Sequence, residues 1–288
     1  MAIPKPREVK VGAGVVGVYE YGDTNGSPVF VFHGTPACGA GFAWADQPAR
    51  ERGLRLLAPD RPGVGLSSRL PDYTVSDYPA MVGGLADALG IHQFAVWGYS
   101  GGGPYAAACA AVLPNRVTKA AVSAGMGQMG VWAKAEDFEK TDRQMLGLAV
   151  KHPAVARSML GFTGWLARHA PKTAMKNFEK QMNDSDRAVA NDMMGPPDEA
   201  IALFTQAFLR GPHGVVADYI SLAQPWGVRV EDTKVPMAVF HGDSDTMVPL
   251  RHSEELAARV PGAELKVWPG AGHLGTISEV GDVLDSLG

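Results

Sequence analysis

The chain has 288 residues and a formal net charge of −4, and 46% of its residues are hydrophobic and 19% charged. This composition is typical of a folded enzyme, built as one large α/β domain or two smaller ones. The weak net charge gives no reason to expect nucleic acid or an anionic membrane as a partner. Two cysteines, Cys38 and Cys109, are too few for a disulfide framework. Because no run of about 18 apolar residues occurs, we expect no transmembrane helix and a cytoplasmic location.

Short apolar runs bounded by turn residues predict buried strands along most of the chain. They cover 15–21, 29–32, 54–58, 94–97, 117–122, 237–240 and 265–268. Helix-like segments lie between most of them, at 74–89, 104–112, 217–223 and 251–260. Strands that alternate with helices predict a mostly parallel sheet covered by helices on both faces.

One interval, between residues 126 and 233, contains no strong strand. We expect 127–212 to form an inserted helical subdomain, and 1–126 and 213–288 to form the core. The insert is rich in methionine, which suits either a helical core of its own or an adaptable apolar lid over a pocket. Four of its residues are candidates for lining that pocket and equally for packing inside the insert: Met129, Trp132, Met145 and Trp165.

The segment Gly98-Tyr99-Ser100-Gly101-Gly102 follows one predicted strand and leads into an alanine-rich run. Strand, sharp turn and helix form the context in which G-x-S-x-G becomes a nucleophile elbow. The tight turn requires small residues two positions before and after the serine. A following helix N-terminus favours developing negative charge. The pattern therefore predicts Ser100 as a nucleophile.

A serine nucleophile needs a base, and the base needs an orienting acid. His273 stands in a glycine-rich loop after the last predicted strand and is the candidate base. Asp245 follows the strand at 237–240 and is the favoured acid. Asp243 is the alternative, although its position better suits hydrogen bonds that close the turn. Ser100, Asp245 and His273 are the predicted catalytic residues.

The oxyanion of an acyl-transfer intermediate requires backbone N–H donors. Gly101 is one candidate, and Thr35, in the loop after the strand at 29–32, is the other because Pro36 has no N–H. His33 is expected to make structural hydrogen bonds there. The stretch 60–67 lacks a phosphate-binding pattern and is interpreted as a structural crossover loop. No histidine or cysteine spacing indicates a metal ion, and no cofactor is expected.

Taken together, these motifs resemble the α/β-hydrolase superfamily in order and spacing: His33-Gly34-Thr35-Pro36, Asp60-Arg61-Pro62-Gly63, Gly98-Tyr99-Ser100-Gly101-Gly102, the 242–249 loop and Gly272-His273. The resemblance implies an α/β-hydrolase fold with a mostly parallel eight-stranded sheet, helices on both faces, a helical cap at 127–212 and a Ser-His-Asp triad. The loop at 33–36 departs from the H-G-G-P-G of proline iminopeptidases. Serine at position 100 also argues against epoxide hydrolases and haloalkane dehalogenases, which use aspartate.

The expected activity is a serine hydrolase that cleaves an ester or related acyl bond of a small molecule through an acyl-enzyme. The same triad would also serve amide or carbon–carbon bond hydrolysis, or cofactor-free perhydrolysis of the haloperoxidase type. A small-molecule receptor that keeps the fold and binds without turnover is the alternative of a different class. The acyl group, the leaving group and the oligomeric state stay open.

Overall fold

The computed structural model describes residues 5–180, 182–193 and 196–288. Within them the central element is an eight-stranded sheet in the order β1-β2-β4-β3-β5-β6-β7-β8. The strands are β1 Arg7–Val11, β2 Gly14–Gly22, β3 Ser27–Phe32, β4 Leu54–Pro59, β5 Phe94–Tyr99, β6 Val117–Ser123, β7 Met237–Gly242 and β8 Glu264–Trp268. Strand β2 runs antiparallel to both β1 and β4, and the other neighbouring pairs are parallel. The predicted mostly parallel eight-stranded sheet is confirmed.

Each of the seven predicted strands is present, and β1 is the strand that sequence patterning missed. Its five residues, Arg-Glu-Val-Lys-Val, are mostly exposed, and only Val9 is buried. A short polar edge strand of this kind lacks the apolar run by which buried parallel strands are recognised.

The described residues form twelve α-helices, which precede, follow or connect the strands. They are α1 Asp46–Glu51, α2 Tyr78–Ala88, α3 Gly103–Val112, α4 Lys140–Lys151, α5 Pro153–His169, α6 Pro171–Glu179, α7 Asp184–Met193, α8 Pro197–Gln206, α9 His213–Leu222, α10 Arg251–Arg259, α11 Gly275–Ser278 and α12 Val280–Asp285. A 3-10 turn at Val75–Asp77 leads into α2, and the Thr74 backbone N–H donates to the Asp77 carboxylate at 2.8 Å. The predicted helix start at Thr74 is therefore a capped helix entry.

Adjacent residues of β5 show that both faces of the sheet are covered. Trp97 is fully buried and packs edge-on against Phe42, which lies in the 3-10 helix Gly39–Ala45. The next residue, Gly98, faces the opposite side, where a Cβ would lie 2.8 Å from the Ala106 Cβ of α3. Since successive strand residues point to opposite faces, the two contacts lie in two different layers of helix.

The order of the strands places a crevice at the carboxyl ends of β3 and β5. The chain leaves β3 toward β4 on one side and later returns to β5 on the other side of β3. In open parallel sheets, ligands bind at such a switch point. The loop 33–36 follows β3 at this crevice, and Ser100 directly follows β5 there.

Helices α4 to α8 lie in the chain between β6 and α9, within the interval that sequence patterning assigned to an insert. Part of this insert has a small apolar cluster of its own, formed by Ala167, Met175, Ala200 and Ile201. Residues 1–4, 181 and 194–195 of the predicted core and insert lie outside the described residues. In the part of the chain that is described, no helix is both long and apolar enough to span a membrane.

Candidate active site

Ser100 stands at a sharp turn between β5 and α3. Its φ is +54°, a left-handed backbone conformation that non-glycine residues rarely adopt. A Cβ on Gly98 would lie 2.3 Å from the Gly102 carbonyl oxygen, and one on Gly102 would lie 1.9 Å from the Phe32 carbonyl oxygen. The two glycines are therefore required by close backbone approach, and the turn presents Ser100 at the sheet edge.

A hydrogen-bonded relay joins Ser100, His273 and Asp245, the three residues predicted as catalytic. The His273 Nε2 lies 2.9 Å from the Ser100 Oγ, and the His273 Nδ1 lies 2.7 Å from the Asp245 Oδ2. An ionised carboxylate can only accept, so Nδ1 carries the proton and Nε2 is left to accept from the serine hydroxyl. This is the tautomer that a general base at Ser100 requires.

The Asp245 carboxylate is fixed by its own loop and by a buried histidine. Its Oδ1 accepts backbone N–H bonds from Met247 at 2.8 Å and Val248 at 2.9 Å. The His241 Nε2 lies 3.2 Å from its Oδ2. Burial alone would raise the pKa of Asp245, but the nearby His273 and the hydrogen bond from His241 hold that pKa below its usual range. Asp245 is thus a fixed anion beneath the imidazole.

The alternative acid, Asp243, has the turn-forming role that its position suggested. Its Oδ1 accepts the Gly270 backbone N–H at 2.7 Å, which ties the β7 loop to the β8 loop. The carboxylate that reaches the His273 ring belongs to Asp245.

The charge around His273 favours its protonated form. Burial lowers the pKa of His273, whereas Asp245, Asp186 and Asp142 raise it, and the net result is a pKa above the usual 6.5. The Tyr99 hydroxyl also donates to the His273 backbone carbonyl at 3.2 Å. The imidazolium that forms when His273 takes the serine proton is therefore stabilised by its surroundings.

The loop after β3 passes directly beside the nucleophile. A Cβ on Gly34 would lie 3.2 Å from the Ser100 Cβ, and one on Gly101 would lie 2.8 Å from the Thr35 Oγ1. Thr35, Ser100 and Gly101 line the same cavity. The two residues predicted as oxyanion donors therefore flank Ser100 on the cavity side.

His33 is buried and acts as a hydrogen-bonding part of this loop. Its Nδ1 lies 2.8 Å from the Gly34 carbonyl, and its Nε2 accepts the Arg61 backbone N–H at 3.2 Å. Burial and the Arg61 charge lower the pKa of His33 to about 3, so the ring is neutral at pH 7. Both ring nitrogens are occupied by backbone groups rather than by Ser100, in keeping with the structural role expected.

Sequence reasoning missed a buried ion pair between Arg61 and Asp218, both of which have almost no exposed surface. The Arg61 Nε and Nη2 donate to the two carboxylate oxygens at 2.7 and 2.6 Å. Nη2 also donates to the Gly34 carbonyl at 2.9 Å and to the Thr35 Oγ1 at 2.8 Å, and Nη1 donates to the His33 carbonyl. The guanidinium therefore holds the loop that flanks Ser100, and the 60–67 stretch is more than a crossover.

The Asp218 carboxylate, on α9, accepts hydrogen bonds from several side chains around Arg61. Besides Arg61 it accepts hydroxyl bonds from Tyr73 at 3.0 Å, from Tyr105 at 2.8 Å and from Thr35. Burial would raise the pKa of Asp218, but Arg61 keeps it below the usual range. One sequence signal existed, namely a single acid within the otherwise apolar pattern of α9.

The insert contacts both loops that carry the relay, through a segment that we call the α7 clamp, residues 183–186. The Asn183 Nδ2 donates to the backbone carbonyl just before Asp245 at 2.7 Å. Ser185 accepts the backbone N–H before His273 at 3.2 Å, and Asp186 accepts the one after it at 2.7 Å. The α7 clamp thus helps to fix the positions of Asp245 and His273.

A cavity of about 40 Å³ opens above Ser100 and His273. Its wall is mostly apolar and combines Phe138 and Leu146 from the insert region with Met126, Leu222 and Met247. Asp142 of α4 and Tyr219 of α9 add two further polar side chains to the wall. The described residues contain no group of three or more His, Cys, Asp or Glu residues arranged to hold a metal ion.

None of the four candidate pocket residues of the insert is among the residues that line this cavity, and a substrate-lining role for them stays a prediction. Trp165 is 52% exposed and stacks with His169 on the outside of α5. Trp132 packs edge-on against Trp226, and Met129 and Met145 are buried elsewhere in the core. On α4, Leu146 faces the cavity while its neighbour Met145 does not, because consecutive helical residues point about 100° apart.

Comparison with known proteins agrees with the fold described above. A family model described as "alpha/beta hydrolase fold" matches residues 27–280. The chain is 27% identical to the 2-hydroxymuconate semialdehyde hydrolase of Pseudomonas putida, over 93% of this chain and 87% of the relative. Its structure is similar to that of a hydrolase from Pseudomonas aeruginosa, with a TM-score of 0.72 and 17% identity over 98% and 96% of the two chains. It is also similar to an esterase from Rhodococcus, with a TM-score of 0.69 and 20% identity over 99% and 100%.

Proposed function

The chain belongs to the α/β-hydrolase fold family and is a hydrolase, and from that premise we propose that it is a serine hydrolase of esters or related acyl compounds. The observation that carries the proposal is the unbroken relay from Ser100 through His273 to Asp245, which opens into a small apolar cavity. No other serine hydroxyl in the described residues lies within hydrogen-bond reach of His273.

In the proposed reaction the Ser100 Oγ attacks the substrate carbonyl while His273 Nε2 takes its proton. Asp245 holds the imidazole in the required tautomer and stabilises the imidazolium. The backbone N–H groups of Thr35 and Gly101 donate to the oxyanion of the tetrahedral intermediate. His273 then protonates the leaving group, which departs and leaves an ester on Ser100. Water, deprotonated by His273, releases the acyl group and restores the enzyme.

The size of the cavity favours a short acyl group. A cavity needs about 10–15 Å³ to hold one water molecule. The cavity of about 40 Å³ above Ser100 therefore has room for roughly three groups the size of a water molecule or a methylene. We therefore infer that acyl chains of about two to four carbons fit without displacement of the wall.

We also propose that residues 127–212 act as a cap on a core made of 1–126 and 213–288. The support is that Phe138, Asp142 and Leu146 contribute to the wall of the cavity that Ser100 and His273 share. In this arrangement the core supplies the chemistry, and the cap supplies part of the wall that selects the substrate.

Covalent labelling with a fluorophosphonate probe tests the proposed nucleophile. We expect labelling of the wild-type chain and of Ser158→Ala, whose serine only donates to a backbone carbonyl on α5, and none of Ser100→Ala. A folded wild-type chain that resists the probe, or labelling that survives Ser100→Ala, would contradict the proposal.

Turnover of short p-nitrophenyl esters separates an enzyme from a receptor with the same fold. A hydrolase with this relay should reach a kcat of about 1 s⁻¹ or more on an ester that fits the cavity. Specific labelling of Ser100 together with turnover far below that value would favour a binding protein.

A further inference from the structure

The cavity above Ser100 contains one carboxylate in a wall that is otherwise largely apolar. Asp142, on α4, lines the cavity together with Ser100 and His273. No lysine or arginine lines it within the described part of the chain. A carboxylate directed into an apolar pocket is costly unless a partner satisfies it.

The protein itself satisfies Asp142 only in part. Its Oδ1 accepts a hydrogen bond from the Tyr219 hydroxyl at 3.3 Å, near the long end of the useful range. Among the described residues, none donates to its Oδ2, and no lysine or arginine pairs with it. Burial raises the pKa of Asp142, opposed by Tyr219 and by the charge of His273. One acceptor oxygen is thus left for whatever occupies the cavity.

We propose that Asp142 determines specificity by accepting a hydrogen bond from a hydroxyl or ammonium group on a short acyl chain bound above Ser100. This inference rests on the proposed function and names its substrate class. The small cavity brings Asp142 and Ser100 into contact with the same acyl chain, so the donor stands only a few bonds from the scissile carbonyl. A carboxylate on that chain would meet Asp142 as a like charge, with no cation in the wall to offset it.

A relative from Pseudomonas putida makes the contrast concrete. This protein, named 2-hydroxy-6-oxo-2,4-heptadienoate hydrolase and 25% identical to this chain, has a carboxylate in the name of its substrate. In this chain an acid faces the cavity, so a substrate carboxylate placed beside Asp142 is disfavoured.

The test compares kcat/KM for four p-nitrophenyl esters: butyrate, 3-hydroxybutyrate, the β-alanine ester and the hemisuccinate. Asp142→Leu removes the acceptor and keeps the number and branching of the side-chain heavy atoms. Because its methyl groups are bulkier, each ratio is taken against butyrate in the same variant, and we expect the 3-hydroxybutyrate-to-butyrate and β-alanine-to-butyrate ratios to fall about tenfold. Asp142→Asn keeps an acceptor but removes the charge. We expect it to preserve the hydroxybutyrate ratio and to raise the hemisuccinate ratio about tenfold.

The same two substitutions at Asp192 serve as controls. Asp192 is an exposed acid of the insert that lies outside the α7 clamp and is not among the residues that line the cavity. Ratios are compared at the pH plateau of each variant, because loss of the Asp142 charge lowers the pKa of His273 for every substrate alike. A fall in only the β-alanine ratio supports an ammonium donor, and a fall in the hydroxybutyrate ratio supports a hydroxyl. Ratios that stay the same in Asp142→Leu for both donors overturn the proposal.

A binding measurement keeps this test separate from the proposed chemistry. In a Ser100→Ala background, 3-hydroxybutyramide should bind more tightly than butyramide, and the difference should disappear when Asp142→Leu is added. Failure of every ester to react would refute the proposed function while the amide contrast still decides the role of Asp142. Equal binding of butyramide, 3-hydroxybutyramide and β-alaninamide in the Ser100→Ala variant overturns the role of Asp142.

Discussion

Replacement of Asp218 by asparagine would leave a guanidinium charge buried without its counter-ion. The carboxylate accepts five hydrogen bonds, two from Arg61 and one each from Thr35, Tyr73 and Tyr105. The Arg61 side chain is 0% exposed and that of Asp218 is 2% exposed, so water cannot compensate for the loss. Removal of one partner of a buried ion pair costs about 3–5 kcal/mol. That is a large part of a typical unfolding free energy of about 5–15 kcal/mol.

Urea unfolding measures this cost directly. With a urea m-value of about 3 kcal/mol/M, the midpoint should fall by about 1–1.7 M. The matched control is Asp232→Asn, which removes an exposed ion pair with Arg229 and should leave the midpoint within error of the wild type.

A kinetic readout connects the same substitution to the oxyanion loop. Because Arg61 and Asp218 together hold Thr35, we expect Asp218→Asn to lower kcat more than it raises KM. If the midpoint moves by less than about 0.3 M and kcat is unchanged, the network neither stabilises the fold nor positions the loop. The reasoning from burial would then be refuted.

Three further predictions concern the relay, the turn and the insert. The kcat/KM should fall as the pH drops through a pKa above 6.5, because catalysis needs neutral His273 and its pKa is raised; an acid limb centred below 6.5 would contradict this. Gly102→Ala should abolish expression of folded protein, since its Cβ would overlap a β3 carbonyl, whereas Gly83→Ala, with open space on α2, should raise the thermal midpoint slightly. Trp165→Ala should leave kcat and KM for short esters unchanged, since its ring lies outside the cavity, and a tenfold rise in KM would place it back in the substrate path.

The sheet and the relay were readable from the sequence because local patterns carry them. The parallel strands are predominantly apolar, although Arg55 stands in β4 and Lys119 in β6. Ser100, Asp245 and His273 each follow such a strand in a loop with glycines. The carboxyl ends of parallel strands meet at one edge, so strand-end position alone brings these three side chains near one another. The structure adds what the pattern lacks. It shows the contacts of His273 with Asp245 at 2.7 Å and with Ser100 at 2.9 Å, and the bond from His241 to Asp245.

The Arg61–Asp218 pair could not be read in the same way. Its members are 157 positions apart, and neither stands in a spacing that points to the other. The pair forms because α9 returns to the sheet after the whole insert and brings its one acid against the loop after β4. Such a contact depends on tertiary packing rather than on local propensity.

The cavity wall was unreadable for a related reason. In the insert the helices pack on one another as well as on the core, so the face that each presents to Ser100 is set by its neighbours. Methionine and tryptophan suggested apolar contact but not its partner, and Met129, Trp132, Met145 and Trp165 pack elsewhere. Asp142 of α4 faces the cavity, a position that no sequence pattern indicated.

The α7 clamp has a consequence for any exchange of the proposed cap with the corresponding segment of another hydrolase. Here the Leu274 N–H is buried against Asp186, and a graft that removed Asp186 would leave that donor without an acceptor. The exchange would also release the loop that holds His273, so the graft would alter the reaction rate as well as the substrate preference. A successful chimera must therefore retain residues 183–186 of this chain, or supply an acceptor at the same point, as part of the core rather than of the module being replaced.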